Sequence, residues 1–308
     1  MPRDAHLVIT DSGLGGLSIC ALLEQGLRVA APSRRVRLTY VNAWPFEDRG
    51  YNDLPDEAAR AVVFDAALAR MAQIQPDRIL IACNTLSILY PLTVFSRQPS
   101  VPVAGIVDAG VDLFVERLAG DTASSIVLLG TKTTIESGVH KARLEQRGID
   151  SRRIAAVSCH GLAGAIEHDV DGTRAAGLLG ECAARAVAAA PRGTTLFLGL
   201  CCTHYGYVAG RLVDAVARLT SQRVEGLNPN HLLAARLLAD ASFAGDNAED
   251  RAAATPPPDA PSGVVSVELV SKVTLSETAR TGIARLVEPV SPATAGALLS
   301  YAHVPDLF

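Results

Sequence analysis

The sequence has no Cys-x-x-Cys pair, so it lacks the spacing of a zinc knuckle. It has no apolar window of the ~18 residues or more that a membrane-spanning helix needs. It has no basic stripe either: 28 Lys and Arg stand against 32 Asp and Glu, for a formal net charge of −4. That balance argues against a nucleic-acid partner. Charge of either sign is scarce, at 19% of residues, and aromatics make up 5%. The start lacks a leader pattern, because Met1-Pro2-Arg3-Asp4 leads at once into the apolar run Leu7-Val8-Ile9-Thr10. These absences point to a soluble, cytoplasmic protein acting on a small molecule, with neither membrane nor nucleic acid as partner. In that compartment Cys20, Cys83, Cys159, Cys182, Cys201 and Cys202 are expected as thiols, unless a metal or catalysis claims them.

What is present is a regular alternation. The 308 residues, 49% of them hydrophobic, can form one large or two medium domains. Short apolar runs such as 7–10, 37–41, 78–82, 125–129 and 195–200 alternate with helical stretches rich in Ala, Leu, Arg and Glu. The pattern predicts an α/β fold with mainly parallel sheets. Helices are expected over 15–27, 56–74, 108–118, 135–147 and 173–190. Two similar rounds follow one another, each with a strand entering a polar loop and a later strand ending on cysteine. The expected architecture is two pseudo-symmetric, doubly wound domains with the active site in the cleft between them. The first would comprise 1–104 plus 224–308 and the second 105–223. Residues 241–262, with the run Thr255-Pro256-Pro257-Pro258, read as a mobile excursion.

Four loops carry chemistry. Asp11-Ser12-Gly13-Leu14-Gly15-Gly16 follows a strand, and its glycines permit a close backbone approach to a ligand; Asp11 could equally cap the next helix. Cys83-Asn84-Thr85 places a thiol at a strand end beside polar groups, a setting that can activate it, although a buried structural cysteine has the same look. Cys202-Thr203-His204-Tyr205 sets an imidazole two residues from a thiol, where it can hold a thiolate or relay a proton. Strand alternation turns Cys201 toward the core. Gly130-Thr131-Lys132-Thr133-Thr134 offers hydroxyls and N–H groups to a carboxylate or ammonium, or caps the helix behind it. His6, His140, His160, His168, His231 and His303 have no spacing that marks a ligand set. Two cysteines facing each other across a cleft could invert a carbon centre, one removing a proton while the other delivers one to the opposite face.

Five stretches, in order over some 200 residues, resemble the aspartate/glutamate racemase superfamily and its glutamate racemases in particular. They are Asp11 to Ser18, Ile81 to Thr85, Val101 to Asp108, Gly130 to Gly138 and Cys202 to Tyr205. The resemblance implies racemisation without a cofactor or metal, with Cys83 and Cys202 as the acid/base pair. It places the supporting groups at Asp11, His204 and, eight residues after Cys159, Glu167. Substrate contacts fall on Ser12, Asn84, Thr85, Thr131, Thr134 and Thr203. It also implies an amino-acid substrate, supply of D-glutamate for peptidoglycan, and a possible homodimer.

The sequence departs from the resemblance where the substrate's distal carboxylate should be held. A Pro-Tyr-Gly turn is replaced by a stretch from Asn42 to Asn52, with Arg49-Gly50-Tyr51 as the nearest stand-in. Arg49 and Gly50 are therefore the candidates for that end of the substrate. Gly206-Tyr207 replaces a Pro-Leu pair. Two rivals follow: a racemase or epimerase of another amino acid or derivative, and a catalytically silent binding or regulatory protein on the same scaffold.

Overall fold

The computed structural model describes residues 4–30, 35–240 and 264–308; the excursion expected at 241–262 lies outside the described residues. Ten strands are described: β1 (Ala5–Asp11), β2 (Val36–Asn42), β3 (Arg78–Ile81), β4 (Val103–Gly105), β5 (Ser125–Gly130), β6 (Ile154–Ser158), β7 (Thr195–Cys201), β8 (Arg223–Leu227), β9 (Val265–Ser271) and β10 (Ala302–His303). They form two sheets, ordered β10-β9-β2-β1-β3-β4 and β6-β5-β7-β8. Every pairing is parallel. The chain therefore leaves the first sheet after β4, builds the second, and returns to the first with β9 and β10.

Helices cover both faces of each sheet, which is why β1, β5 and β7 are buried along their whole length and mostly apolar. Side-chain alternation divides them between two cores. In the first sheet Leu7 and Ile9 pack with helices Leu17–Ala30, Pro229–Ala239 and Glu277–Val287. Val8, Ile79 and Ile81 face the other way, toward helix Glu57–Gln73. The second sheet repeats the plan. Val127, Leu129 and Leu198 face helix Thr173–Ala189, while Ile126, Leu128 and Phe197 face helix Ile106–Gly120.

Two local expectations are corrected. The single helix expected over 135–147 is two, Lys132–Glu136 and Val139–Gln146. Between them Gly138 sits at φ +66°, a left-handed conformation that only glycine adopts freely. Cys159 and Cys182, expected as thiols, form a disulfide with Cα atoms 5.4 Å apart. Helix Thr173–Ala189 packs on β6, so the end of that strand meets the middle of the helix. Cys20, Cys83, Cys201 and Cys202 are free thiols. Among the described residues, no helix is long and apolar enough to cross a membrane.

Candidate active site

The two strand orders fix where a site can form. β1 lies between β2 and β3, and β5 lies between β6 and β7. The chain winds in opposite directions from β1 and from β5, so loops diverge at their carboxyl ends and leave a crevice there. Asp11 ends β1 and Cys83 follows β3; Thr131 follows β5 and Cys202 follows β7. The two crevices open on one cavity of about 320 Å³. Its wall includes Asp11, Ser12, Cys83, Asn84, Thr85, Thr131, Glu167, Cys202, Thr203 and His204.

On the first side, Cys83 Sγ lies 3.2 Å from Ser12 Oγ. Burial pushes the Cys83 thiol up to about 12, and the nearby Asp11 charge adds to it. Asp11 does not cap a helix. Its Oδ2 accepts from Thr203 Oγ1 at 2.8 Å, across the cleft. Burial raises Asp11 from 3.8 to about 6, against the pull of His204 and the Thr203 hydroxyl. A carboxyl at that value changes charge just below neutral pH.

The second side is built from charge. His204 Nδ1 lies 3.9 Å from Cys202 Sγ, and its Nε2 donates to Glu167 Oε2 at 2.6 Å. Burial alone would lower His204, but its hydrogen bonds to Cys202 and Glu167 and the Glu167 charge carry it well above the ordinary histidine value. Glu167 responds in the opposite direction. Burial works to raise it, while the His204 hydrogen bond and charge, together with the Leu14 N–H, hold it below its ordinary value. The pair is therefore an imidazolium and a carboxylate. Leu14 N donates to Glu167 Oε2 at 2.8 Å, which secures the carboxylate from the opposite side of the cleft.

The glycine-rich loop is the joint between the two sides. A Cβ on Gly15 would stand 2.3 Å from Thr203 Oγ1 and 2.5 Å from His204 Nδ1, so only glycine fits there. Tyr40 donates to the Gly13 carbonyl at 2.6 Å, and Tyr207 to the Leu14 carbonyl at 3.0 Å. Tyr207, one of the departures in sequence, thus fixes the loop that carries the site.

Three threonines meet at the cavity, and two of them, Thr85 and Thr131, are in its wall. Thr85 Oγ1 lies 3.1 Å from Thr131 Oγ1 and 3.0 Å from Thr134 Oγ1. Thr131 also caps helix Lys132–Glu136, so the capping role and a wall position coexist. Thr134 stands behind the wall, joined to it through Thr85.

Arg49 and Gly50 are not in the wall. Phe46 and Arg49 close a tight turn, which lays the exposed Arg49 guanidinium over the Phe46 ring, 4.8 Å from its centroid. Gly50 is buried against Trp44, whose ring leaves no room for a Cβ. Trp44, Glu47 and Lys132 occupy the wall instead. Glu47 is fixed by Thr274, whose N–H donates to its Oε1 at 2.8 Å. These residues were missed because no local pattern marks them: Thr274 is 227 positions from Glu47. Among the described residues, no group of three or more His, Cys, Asp or Glu is placed to hold a metal ion.

A family model described as Asp/Glu/Hydantoin racemase matches residues 9–235. The chain is 28% identical over 236 residues to a glutamate racemase of Brucella ovis, covering 75% of this chain and 78% of that one. In fold it is similar to a glutamate racemase isoform of Bacillus anthracis, with a TM-score of 0.63 at 16% identity, covering 98% of this chain and 96% of that one. It is similar too to the Francisella tularensis glutamate racemase solved in complex with D-glutamate, with a TM-score of 0.61 at 18% identity and coverage of 94% and 95%. The match spans well over half of the sequence and includes every cleft residue named from β1 to His204: the chain belongs to the Asp/Glu/hydantoin racemase family and is an isomerase of the racemase type.

Proposed function

We propose that this chain interconverts L- and D-glutamate by transferring protons at Cα between Cys83 and Cys202, and that it supplies D-glutamate for peptidoglycan. The observation that carries this reading is the shared cavity wall: two thiols, each just beyond a strand at a topological switch point, each with its own titratable partner. Side chains alone would run the chemistry. Cys83, held protonated at rest, is the acid when Cys202 removes the proton; Asp11 takes the Cys83 proton when the direction reverses. Cys202 works beside the imidazolium of His204, whose charge Glu167 balances. The carbanion formed at Cα delocalises into the substrate carboxylate, where the hydroxyls and N–H groups of Ser12, Asn84, Thr85, Thr131 and Thr203 would stabilise it, with Thr134 supporting Thr85.

Lys132 is the wall cation suited to the distal carboxylate, in place of Arg49. A second reading, racemisation of another amino acid or derivative, is favoured by Trp44 and Glu47, which stand where the resemblance requires a Pro-Tyr-Gly turn. The same account takes two domains, and the pairing of β8 (Arg223–Leu227) with β7 favours a second boundary after 227.

The test is Cα deuterium exchange in D2O, followed by NMR and chiral chromatography over a panel of amino acids. Glutamate should exchange and racemise fastest. Exchange of another amino acid but not glutamate would move the reading to the second. Exchange of none would end both.

A further inference from the structure

His140 stands outside the cavity wall, yet it is the side chain that engages Asn84. Asn84 follows Cys83 directly and forms part of the wall. Both residues are buried, Asn84 at 2% and His140 at 3% exposure. His140 Nε2 lies 3.1 Å from Asn84 Oδ1. Among the described residues, two atoms of this pair have no hydrogen-bond partner: Asn84 Nδ2 and His140 Nδ1.

Those two empty atoms discriminate between the arrangements the pair can adopt. In one, His140 carries its proton on Nε2 and donates to Asn84 Oδ1. The ring then buries only an empty acceptor, Nδ1, and the amide keeps both N–H donors unpaired. In the other, the amide is turned over and donates to Nε2. The ring must then bury an unpaired Nδ1–H, and the amide offers the cavity an oxygen. The structure sets Asn84 Oδ1, which can only accept, against His140 Nε2, so Nε2 carries the proton and the first arrangement is the one present. It also leaves Asn84 with the group that a carboxylate needs. Among the described residues nothing takes up Asn84 Nδ2, as a donor reserved for a ligand requires.

The fold explains how His140 reaches this place. Gly138, in the left-handed region, ends one short helix and starts the next, Val139–Gln146, with His140 in its first turn. Burial, aided by the Arg143 charge, lowers His140 from 6.5 to about 4. Arg143 is itself paired with Asp108. The imidazole is therefore neutral at working pH, as a fixed single-proton donor must be.

We infer that His140 is a positioning residue: its Nε2–H locks the Asn84 amide so that Nδ2 faces the substrate carboxylate beside Cys83. The inference rests on the reading that this cavity receives an amino acid, and it assigns a role to a residue that no motif marks.

Two measurements on the full chain test it. The first is 15N NMR of histidine-labelled protein, with His140 assigned by comparison with His140→Gln. The expected result is a neutral ring protonated on Nε2, unchanged between pH 8 and 5; a proton on Nδ1, or titration near the ordinary histidine value, overturns the inference. The second is kinetic. His140→Leu should raise KM roughly tenfold with kcat within about threefold, the signature of lost ground-state and transition-state binding alike. His140→Gln, whose amide can still donate, should stay within about threefold of wild type on both. In an Asn84→Ala background, His140→Leu should change KM no further, because the residue it orients is gone. An equal loss in both backgrounds, or a fall in kcat that glutamine does not rescue, means a merely structural histidine and overturns the inference. The tautomer is read without turnover, so a chain that racemises nothing ends the proposed function while the NMR still decides the role of His140.

Discussion

The two sides of the cleft present the same thiol in opposite electrostatic settings. Cys83 sits among neutral or weakly acidic groups: the Ser12 hydroxyl and an Asp11 carboxyl raised to about 6. Cys202 sits beside a buried ion pair, His204 with Glu167. Each setting also depends on the other side, since Thr203 restrains Asp11 and the Leu14 N–H restrains Glu167. The lesson is that near-symmetric strand ends need not carry symmetric catalysts. On the proposed reading one thiol removes a proton and the other delivers a different one, with a carboxyl beside the first thiol and an imidazolium beside the second.

The largest effects should come from removing either thiol. Cys83→Ala and Cys202→Ala should each slow racemisation by at least roughly a thousandfold, because each direction needs both groups. Chiral chromatography of a purified enantiomer reads this directly. Full activity in either variant breaks the comparison.

Glu167→Gln should be next, lowering kcat by roughly a hundredfold. Without its carboxylate the buried His204 loses the partner that keeps it cationic. Enantiomers have equal free energy in water, so kcat/KM must remain equal in the two directions. The asymmetry has to be sought in the Cα-deuterium isotope effect. That effect should grow from the enantiomer deprotonated by Cys202 and stay nearly constant from the other. Asp11→Asn should show the mirror image, with a loss of roughly ten- to a hundredfold.

Asp11→Asn separates function from stability as well. Folding raises the Asp11 carboxyl from 3.8 to about 6, so the folded chain holds that proton more tightly than the unfolded one. The stabilisation is complete below 3.8 and is lost as pH rises through about 6. Asn carries no charge to bury and can still accept from Thr203. The variant should gain up to roughly 3 kcal/mol over wild type at pH 8, with the difference closing toward pH 4 in denaturant titrations. Wild-type turnover that requires ionised Asp11 should fall as pH drops below about 6.

The smallest effect should follow Arg49→Ala. Its guanidinium rests on Phe46 outside the cavity, so KM for glutamate should change less than about threefold. A large rise in KM would return the distal carboxylate to Arg49 and displace Lys132.

Some of this was legible in the sequence for physical reasons. Buried parallel strands must be continuous apolar runs, and a polar loop with glycine or cysteine at their carboxyl ends is a local signal. Asp11, Cys83, Thr131 and Cys202 are all of that kind. The resemblance then linked Glu167 to a site from which it is separated in sequence. What the sequence hid are contacts between distant segments. Glu47 is held by Thr274, the Cys159–Cys182 disulfide joins a strand end to mid-helix, and Asn52 Oδ1 accepts from Thr133 Oγ1 at 2.8 Å across the cleft. Arg49 was a candidate because it stands in the stretch that replaces the Pro-Tyr-Gly turn, while its direction depends on a turn closed with Phe46. His140 has no motif, and its role follows only from the empty donor on Asn84.

The central claim is that two thiols act on opposite faces of one carbon. It is tested most directly by running wild-type enzyme in D2O from one pure enantiomer and reading the Cα isotope in both enantiomers at early times. Two monoprotic bases predict deuterium in the product enantiomer and protium in the remaining substrate, from either starting enantiomer. Product that retains the original protium, or deuterium appearing equally in both enantiomers from the start, would contradict it.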